Sequence, residues 1–399
     1  MENVVTENAD EYRCIFRLVR SAVNGEQADI SDLSFDWKKV IRFAEEMSFT
    51  ALLKKGVDLL EESQQPSAEI RNFLKSQFRK LVMSDTNQLY ELKLLQNAFE
   101  ENKIAMLLLK GVYFKKTYPS SVYRYMGDID TYVELKAFEK ADKVLGKLGY
   151  VATGELGGHD RIYHKEPFIC LEQHFSLYEG SNSAIREYYQ NLSRRLKQKK
   201  GFSYIYEMSL EDIYIFLNVH AIQHFNYAGI PPRVFLDYYL FRKAFADKTD
   251  WKYVDDILKQ FGYSDFDAKA QEIAQRWFSP QGTGIDLNNL LDVFLINGET
   301  YGKKEHNIGI RTSKMTADGH KPSKLKFIFR QVFPSYGFLK SQNAILRKYP
   351  FLLPFVWVVY VGKRIFRKGN MHNYSSINKH TADYYKSVIK AIGLEHQTD

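Results

Sequence analysis

Sulfur is scarce in this sequence. Its 399 residues hold two cysteines, Cys14 and Cys170, far apart in the chain. That spacing excludes a disulfide framework and fits a reducing compartment. Long apolar runs are missing too. The longest, residues 351–362, contains Pro354, and it falls short of the roughly 20 residues a membrane-spanning helix needs. Residues 1–10 are polar and acidic, so no secretory signal is expected and a cytoplasmic location is. Internal repeats and low-complexity tracts are also lacking, which argues against a solenoid.

What remains is an ordinary globular composition, 45% hydrophobic with 27 tyrosines and 28 phenylalanines. The aromatic residues suit helical core packing and could also stack on a base, with the core as the default. The length suggests two or three domains. Charge is unevenly spread. Residues 301–399 carry 18 Lys+Arg against 5 Asp+Glu, a net +13, which leaves 38 against 43, or −5, for the first 300. Such a basic tail can meet nucleic acid, anionic lipid or an acidic protein, or it can be a solvated face.

The most informative stretch is residues 103–133, KIAMLLLKGVYFKKTYPSSVYRYMGDIDTYV. Residues 104–109 read as a short buried strand. Lys110-Gly111 breaks it, residues 112–118 read as a helical turn or two, and Pro119 with two serines ends that helix. A second strand follows Arg124. Its period of two places Asp128 and Asp130 on one face, with Ile129 turned into the core. Adjacent carboxylates repel, so holding both ionised calls for a cation between them. Oxygen-only ligands suit magnesium, which completes its shell with water and substrate phosphates. The alternative is a pair of solvated acids at a turn edge.

The succession LLLKG, YP, Arg124 and GDIDTYV resembles the polymerase-β-like nucleotidyltransferase superfamily. It is most similar to the uncharacterised nucleotidyltransferases, marked by a leucine-rich strand, Lys-Gly, Arg and Asp-Ile-Asp. Lys110-Gly111 stands where many relatives have Gly-Gly or Gly-Ser. The resemblance spans roughly residues 30–280. It implies an α+β fold, a small mixed nucleotidyltransferase sheet flanked by N-terminal and C-terminal helical regions. It also implies that Asp128 and Asp130 bind Mg2+ (or Mn2+) and that a third acid lies on a later strand. Lys110, Gly111 and Arg124 would then bind the nucleoside triphosphate.

Residues 168–177, FICLEQHFSL, form the strand on which that acid is expected. Alternation groups Cys170, Glu172 and His174 on one face. A lone acid in an apolar strand needs a partner or a cation, and the family pattern places an acid here with a histidine two residues on. Glu172 is therefore the third metal ligand or general base, with Asp160 the next candidate. Downstream, Ser209 followed by Asp212 resembles a capping box opening a helix. On that helix His220 and His224 stand four apart on one face. The spacing can bind zinc, but zinc needs a further protein ligand. The family carries this helix and a following R-x-x-x-D helix, Arg233 to Asp237. Together with His174 these residues are expected to form a wall against nucleotide or acceptor, or else a buried polar network.

Four regions are expected. Residues 1–100 form a helical N-terminal region, in which 69–101 is a long amphipathic stretch with Leu81, Leu89, Leu92 and Leu95. Residues 101–180 form the catalytic core, where a Gly157-Gly158 turn joins strands over 150–155 and 161–165. Residues 181–280 form a helical region completing the site, with a basic run, RRLKQKK, at 194–200, and 281–399 form a basic linker and helical tail. Residues 279–322 read as loop, and helices are expected over 324–333, 336–348 and 354–366. The last of these is a candidate for a membrane surface. The expected activity is metal-dependent transfer of a nucleoside monophosphate from a triphosphate to an unidentified acceptor. A phosphotransferase on the same scaffold and a non-catalytic interaction protein are the alternatives.

Overall fold

The computed structural model describes residues 2–153, 159–227, 229–297, 349–366 and 379–395, with 310, 339 and 346 singly. Five helices fill the first hundred residues: α1 (Glu2–Glu7), α2 (Ala9–Asn24), α3 (Trp37–Glu46), α4 (Thr50–Asp58) and α5 (Ala68–Glu101). Their starts have chemical causes. Asp36 accepts from the Lys38 amide at 2.8 Å to cap α3, and Ser67 accepts from the Ile70 amide at 3.4 Å to cap α5. α2 and α4 approach closely through Gly56, where a Cβ would sit 2.3 Å from the Leu18 carbonyl oxygen.

α5, 34 residues long and so about 51 Å, departs from its amphipathic pattern. Leu92 and Leu95 are buried as expected, but Leu89 is 42% exposed. The inward stripe is also half polar: Asp85, Gln88, Glu91 and Gln96 are buried beside Leu74, Leu92, Leu95 and Phe99. Each of these polar residues has a partner beyond its own helix, as buried polar groups require. Asp85 takes Lys115 and the Ser121 hydroxyl, and the Gln88 amide donates to the Met126 carbonyl at 2.7 Å. Glu91 holds Lys165 at 2.8 Å and the Tyr150 hydroxyl at 3.1 Å, while Gln96 accepts from Lys199 at 2.7 Å. The helix is thus bolted to the chain segment between residues 115 and 126.

The central sheet comprises β1 (Met106–Leu108), β2 (Ile129–Tyr132), β3 (Val151–Thr153), β4 (Asp160–Lys165), β5 (Ile169–His174), β6 (Lys197–Gln198) and β7 (Ile205–Glu207). Its order is β3-β4-β5-β2-β1-β7-β6. β2 runs antiparallel to β1 and parallel to β5, and β1 runs parallel to β7. The fold is therefore α+β with a mixed sheet and helices on either side. β6 and β7 were not expected, being too short for alternation to register. α6 (Gly111–Phe114) follows β1 and α7 (Phe138–Lys147) follows β2. The expected Gly157-Gly158 turn lies outside the described residues.

Beyond β5 come α8 (Ser183–Gln190), then α9 (Leu210–Tyr227), α10 (Pro232–Phe245), α11 (Trp251–Phe261) and α12 (Ser264–Phe278) after the β6–β7 hairpin. Ser209 caps α9 by accepting from the Asp212 amide at 3.1 Å. The box is not reciprocal, because the Asp212 carboxylate instead takes Arg195 at 3.0 Å and the Tyr188 hydroxyl at 2.6 Å. Arg195, part of the basic run, is spent on this ion pair.

The expected loop over 279–322 needs correction, since α13 (Leu290–Ile296) lies within it and is buried at Leu291 through Ile296. Asn289 caps it, and Asp292 receives Arg276 at 2.5 and 2.6 Å and the Trp277 indole at 3.1 Å. The apolar run behind an asparagine was the missed signal. The helix expected over 354–366 is present as α14 (Leu353–Phe366), and α15 (Lys379–Ala391) was not expected. Those expected over 324–333 and 336–348 lie outside the described residues. Buried apolar side chains from Val5 to Leu394 join in one cluster.

The polar seam of α5 makes a test. Gln88→Ala leaves the Met126 carbonyl without its donor and should cost about 1–3 kcal/mol in denaturant unfolding. Leu89→Ala, at the position the leucine pattern turns inward, should change stability by less than about 0.5 kcal/mol.

Candidate active site

The site grows from the end of β1. The Leu109 amide donates to the Asp130 carbonyl at 3.0 Å, and the next residue, Lys110, holds φ at +39°. A non-glycine residue in that region costs of the order of 1–3 kcal/mol and persists only where its surroundings enforce it. Here the side chain supplies the enforcement. Lys110 Nζ donates to Asp130 Oδ1 at 2.6 Å and lies 3.8 Å from Glu172 Oε2. Gly111 follows because nothing larger fits: a Cβ would stand 2.5 Å from Met126 Sδ and 3.1 Å from Arg124 Nη1. Those side chains close over it.

Strand register does the rest. Asp130 is paired with Glu172 and Tyr132 with His174 across the parallel β2–β5 ladder, so the two acids stand side by side on one face. Ile129 and Leu171 point the other way and are fully buried. Asp128 precedes β2 and is hydrogen-bonded to Glu172. His174 Nε2 is 2.9 Å from Asp130 Oδ1.

Three carboxyls around one ammonium cannot all ionise equally. Burial pushes Asp130 up, but the Lys110 charge and the contacts from His174 and Lys110 outweigh it and hold Asp130 well below the usual range. Burial and then the neighbouring Asp130 charge raise Asp128. Glu172 is pushed up to about 8 by burial, with Asp130 and Asp128 adding to the effect. Desolvation disfavours the Lys110 cation, yet Asp130 and Glu172 keep its pKa raised.

The residues suit a divalent cation. Asp130, Glu172 and His174 offer one donor atom each, all within 4.8 Å of one another. Two carboxylates with a third beside them are what magnesium or manganese takes. The imidazole adds little for magnesium, because its Nε2 already faces Asp130. Asp128 lies outside this converging group.

With that geometry in place, comparison with known families is decisive. Residues 34–279, well over half of the chain, match the family model described as uncharacterised nucleotidyltransferase. The chain belongs to this family. Neither a curated protein nor a solved structure matches it. In this nucleotidyltransferase the matched segment contains all the residues named above, from Lys110 to His174, together with α9 and α10.

The surroundings of two arginines differ from what the sequence suggests. Arg124 was expected to face phosphate, but it is buried and bidentate on Asp237, Nε to Oδ1 at 2.9 Å and Nη2 to Oδ2 at 2.8 Å. Asp237, expected on the substrate wall, is 1% exposed and also accepts from the Tyr118 hydroxyl at 2.8 Å. Both charges are satisfied within the fold. Arg233 differs. It donates to the Tyr125 carbonyl, and among the described residues no carboxylate lies within salt-bridge distance of it. Its Nε is buried without a hydrogen-bond partner. Burial, and then repulsion from Arg124, depress its pKa. Sequence spacing could show a polar-faced turn at Arg233 and Asp237, but not which arginine the aspartate would take.

His220 and His224 pack ring to ring at 4.3 Å on α9, and Phe216 stacks on His220 at 5.8 Å. Burial, with the Lys110 charge next, drives His220 well below its usual value and His224 to about 4. Both are neutral at pH 7. Part of the His224 side chain nonetheless remains exposed to solvent. Neither joins a group of three metal-donating side chains among the described residues.

The Glu172 shift has a sign that can be checked. Between about 4.5, its ordinary value, and about 8, the folded protein holds a proton that the unfolded chain releases. Its contribution to stability therefore falls as pH rises through that window. In metal-free buffer, the melting temperature of Glu172→Gln relative to the parent should rise from pH about 5 to pH about 9, by the equivalent of on the order of 2 kcal/mol. A difference independent of pH would remove Glu172 from the shared-charge cluster.

Proposed function

We propose that this protein transfers a nucleoside monophosphate from a nucleoside triphosphate to the hydroxyl or phosphate of an acceptor. The observation carrying this reading is the placing of Asp130 and Glu172 at matched positions of parallel strands, converging on Lys110. Asp128 stands beside them, and Arg233 is a buried cation with no carboxylate within salt-bridge distance among the described residues. A site with too many acids for its one lysine, next to an unpaired arginine, suits a metal–triphosphate pair better than either ion alone.

Asp128 and Asp130, with Glu172 facing them, would hold magnesium or manganese. Bound there, the ion supplies Lewis-acid neutralisation of phosphate charge. Lys110 and Arg233 add fixed positive charge where the phosphates gain negative charge in the transition state. The acceptor oxygen bonds to the α-phosphorus as the bond to the β-phosphate's bridging oxygen breaks, and pyrophosphate leaves. The acceptor's proton goes to Glu172, the carboxylate paired with Asp130 across the β2–β5 ladder, as general base. The neutral imidazoles of His220 and His224 form a polar wall that can donate to and accept from a sugar, base or acceptor group.

Calorimetric titration of a triphosphate in the presence of magnesium tests this. The parent should bind. Asp128→Asn with Asp130→Asn should lose the magnesium-dependent part while its circular dichroism stays unchanged, and Arg233→Ala should bind about 10- to 100-fold more weakly, as the loss of a charge-assisted phosphate contact implies. Arg124→Ala should instead fail in stability, by about 3–5 kcal/mol, because it strands buried Asp237. An unchanged isotherm for the double variant would contradict the assignment.

A further inference from the structure

A second cluster of donors lies on the far side of His174. His159, Asp160 and His174 present one donor atom each, all within 4.8 Å of one another. Asp160 and His174 are cross-strand partners in the β4–β5 ladder, and the His159 carbonyl accepts from the Phe175 amide at 2.8 Å. Backbone pairing therefore fixes all three positions. We propose that His159, Asp160 and His174 form a transition-metal site, occupied by zinc, that adjoins the acidic cluster through His174 and lies on its β4 side.

Three features point to a metal in place of a simple ion pair. First, each imidazole is steered by an outer carboxylate. His159 Nδ1 lies 3.0 Å from Glu179 Oε1, and His174 Nε2 lies 2.9 Å from Asp130 Oδ1. Metal-binding histidines commonly give their second nitrogen to a carboxylate, which fixes ring and tautomer. Second, the remaining nitrogen of His159, Nε2, is 3.5 Å from Asp160 Oδ2. That separation is long for a hydrogen bond, but it matches the edge of a zinc tetrahedron, about 3.3–3.5 Å for bonds of 2.0–2.1 Å. Third, the two imidazoles are neighbours, with centroids 5.6 Å apart, and one donor atom from each falls within 4.8 Å of the other and of the Asp160 carboxylate.

The donor chemistry selects the ion. Two imidazoles and one carboxylate favour zinc and its neighbours over magnesium. Three protein ligands leave a fourth position open, as in zinc sites that bind water or a substrate atom. His159 is 37% exposed at its side chain and Asp160 19%, so an ion can enter from solvent. His220 and His224, the pair whose sequence spacing suggests zinc, have no such third donor among the described residues.

The full chain, stripped of metal with a chelator, should be titrated with zinc chloride alone by calorimetry and with cobalt(II) by visible absorption. One equivalent should bind, and cobalt should give the intense bands of a tetrahedral site. His159→Ala and Asp160→Asn should each weaken zinc by at least about 100-fold, since losing only an outer partner of a metal ligand already costs about 10- to 100-fold. Glu172→Gln and the His220→Ala/His224→Ala pair should bind zinc as the parent does. Because Glu172→Gln disables the proposed transfer chemistry and spares this site, the two readings fail separately. Absence of zinc binding, binding that survives His159→Ala, or binding lost with His220 and His224 would overturn the assignment.

Discussion

The contact between Lys110 and Asp130 is the constraint on which the rest of the site depends. One ammonium at 2.6 Å keeps Asp130 ionised in a place where burial alone would protonate it. The same charge reaches Glu172 and lowers the proton affinity of His220 and His224. Lys110 can sit there only because β1 ends beside β2, with Leu109 bonded to the Asp130 carbonyl. The unusual backbone at Lys110 and the closed space above Gly111 are consequences of the same placement. A divalent cation among these carboxylates would take over the work Lys110 now does, freeing the ammonium for phosphate.

Support for the segment that carries Arg124 and leads into Asp128 comes from outside the sheet. α5 presents Asp85 and Gln88 to residues 115, 121 and 126, while Arg124 is locked to Asp237 on α10. The segment is thus clamped from two sides by hydrogen-bonded polar groups. Burying so many is affordable because each finds a partner. The approach to Asp128 is rigid, and the charge left over in the neighbourhood is that of Arg233.

Alternation made part of this legible in the sequence. Asp130 turned away from Ile129, and Glu172 away from Leu171, follow from the period of a strand, and the Lys-Gly break marks where β1 stops. The pairing of Asp130 with Glu172, however, comes from the β2–β5 register. Asp128, grouped with Asp130 by alternation, precedes β2 and lies outside the converging donors. The partner of Arg124 was not legible. Two arginines and one aspartate admit two pairings, and only packing of α10 against residues 118–124 chooses between them. The polar stripe of α5 was hidden for a similar reason: acids and amides at helical spacing read as a solvated face unless their partners, Lys115, Lys165 and Lys199, are known to lie opposite. α13 was missed because its seven residues sit among Gly and Asn. The His159 cluster depends on a cross-strand register that no local pattern states.

Membership of the nucleotidyltransferase family and the charge balance around Asp130 support the proposed transfer at the α-phosphorus. The direct measurement is to incubate the protein with magnesium, a cell extract as acceptor pool, and each triphosphate labelled at either the α- or the γ-phosphate. The account predicts that α-label enters an acceptor, that γ-label leaves as pyrophosphate, and that Asp130→Asn abolishes the incorporation. Incorporation of γ-label into the acceptor, or α-labelling that persists in Asp130→Asn, would contradict it.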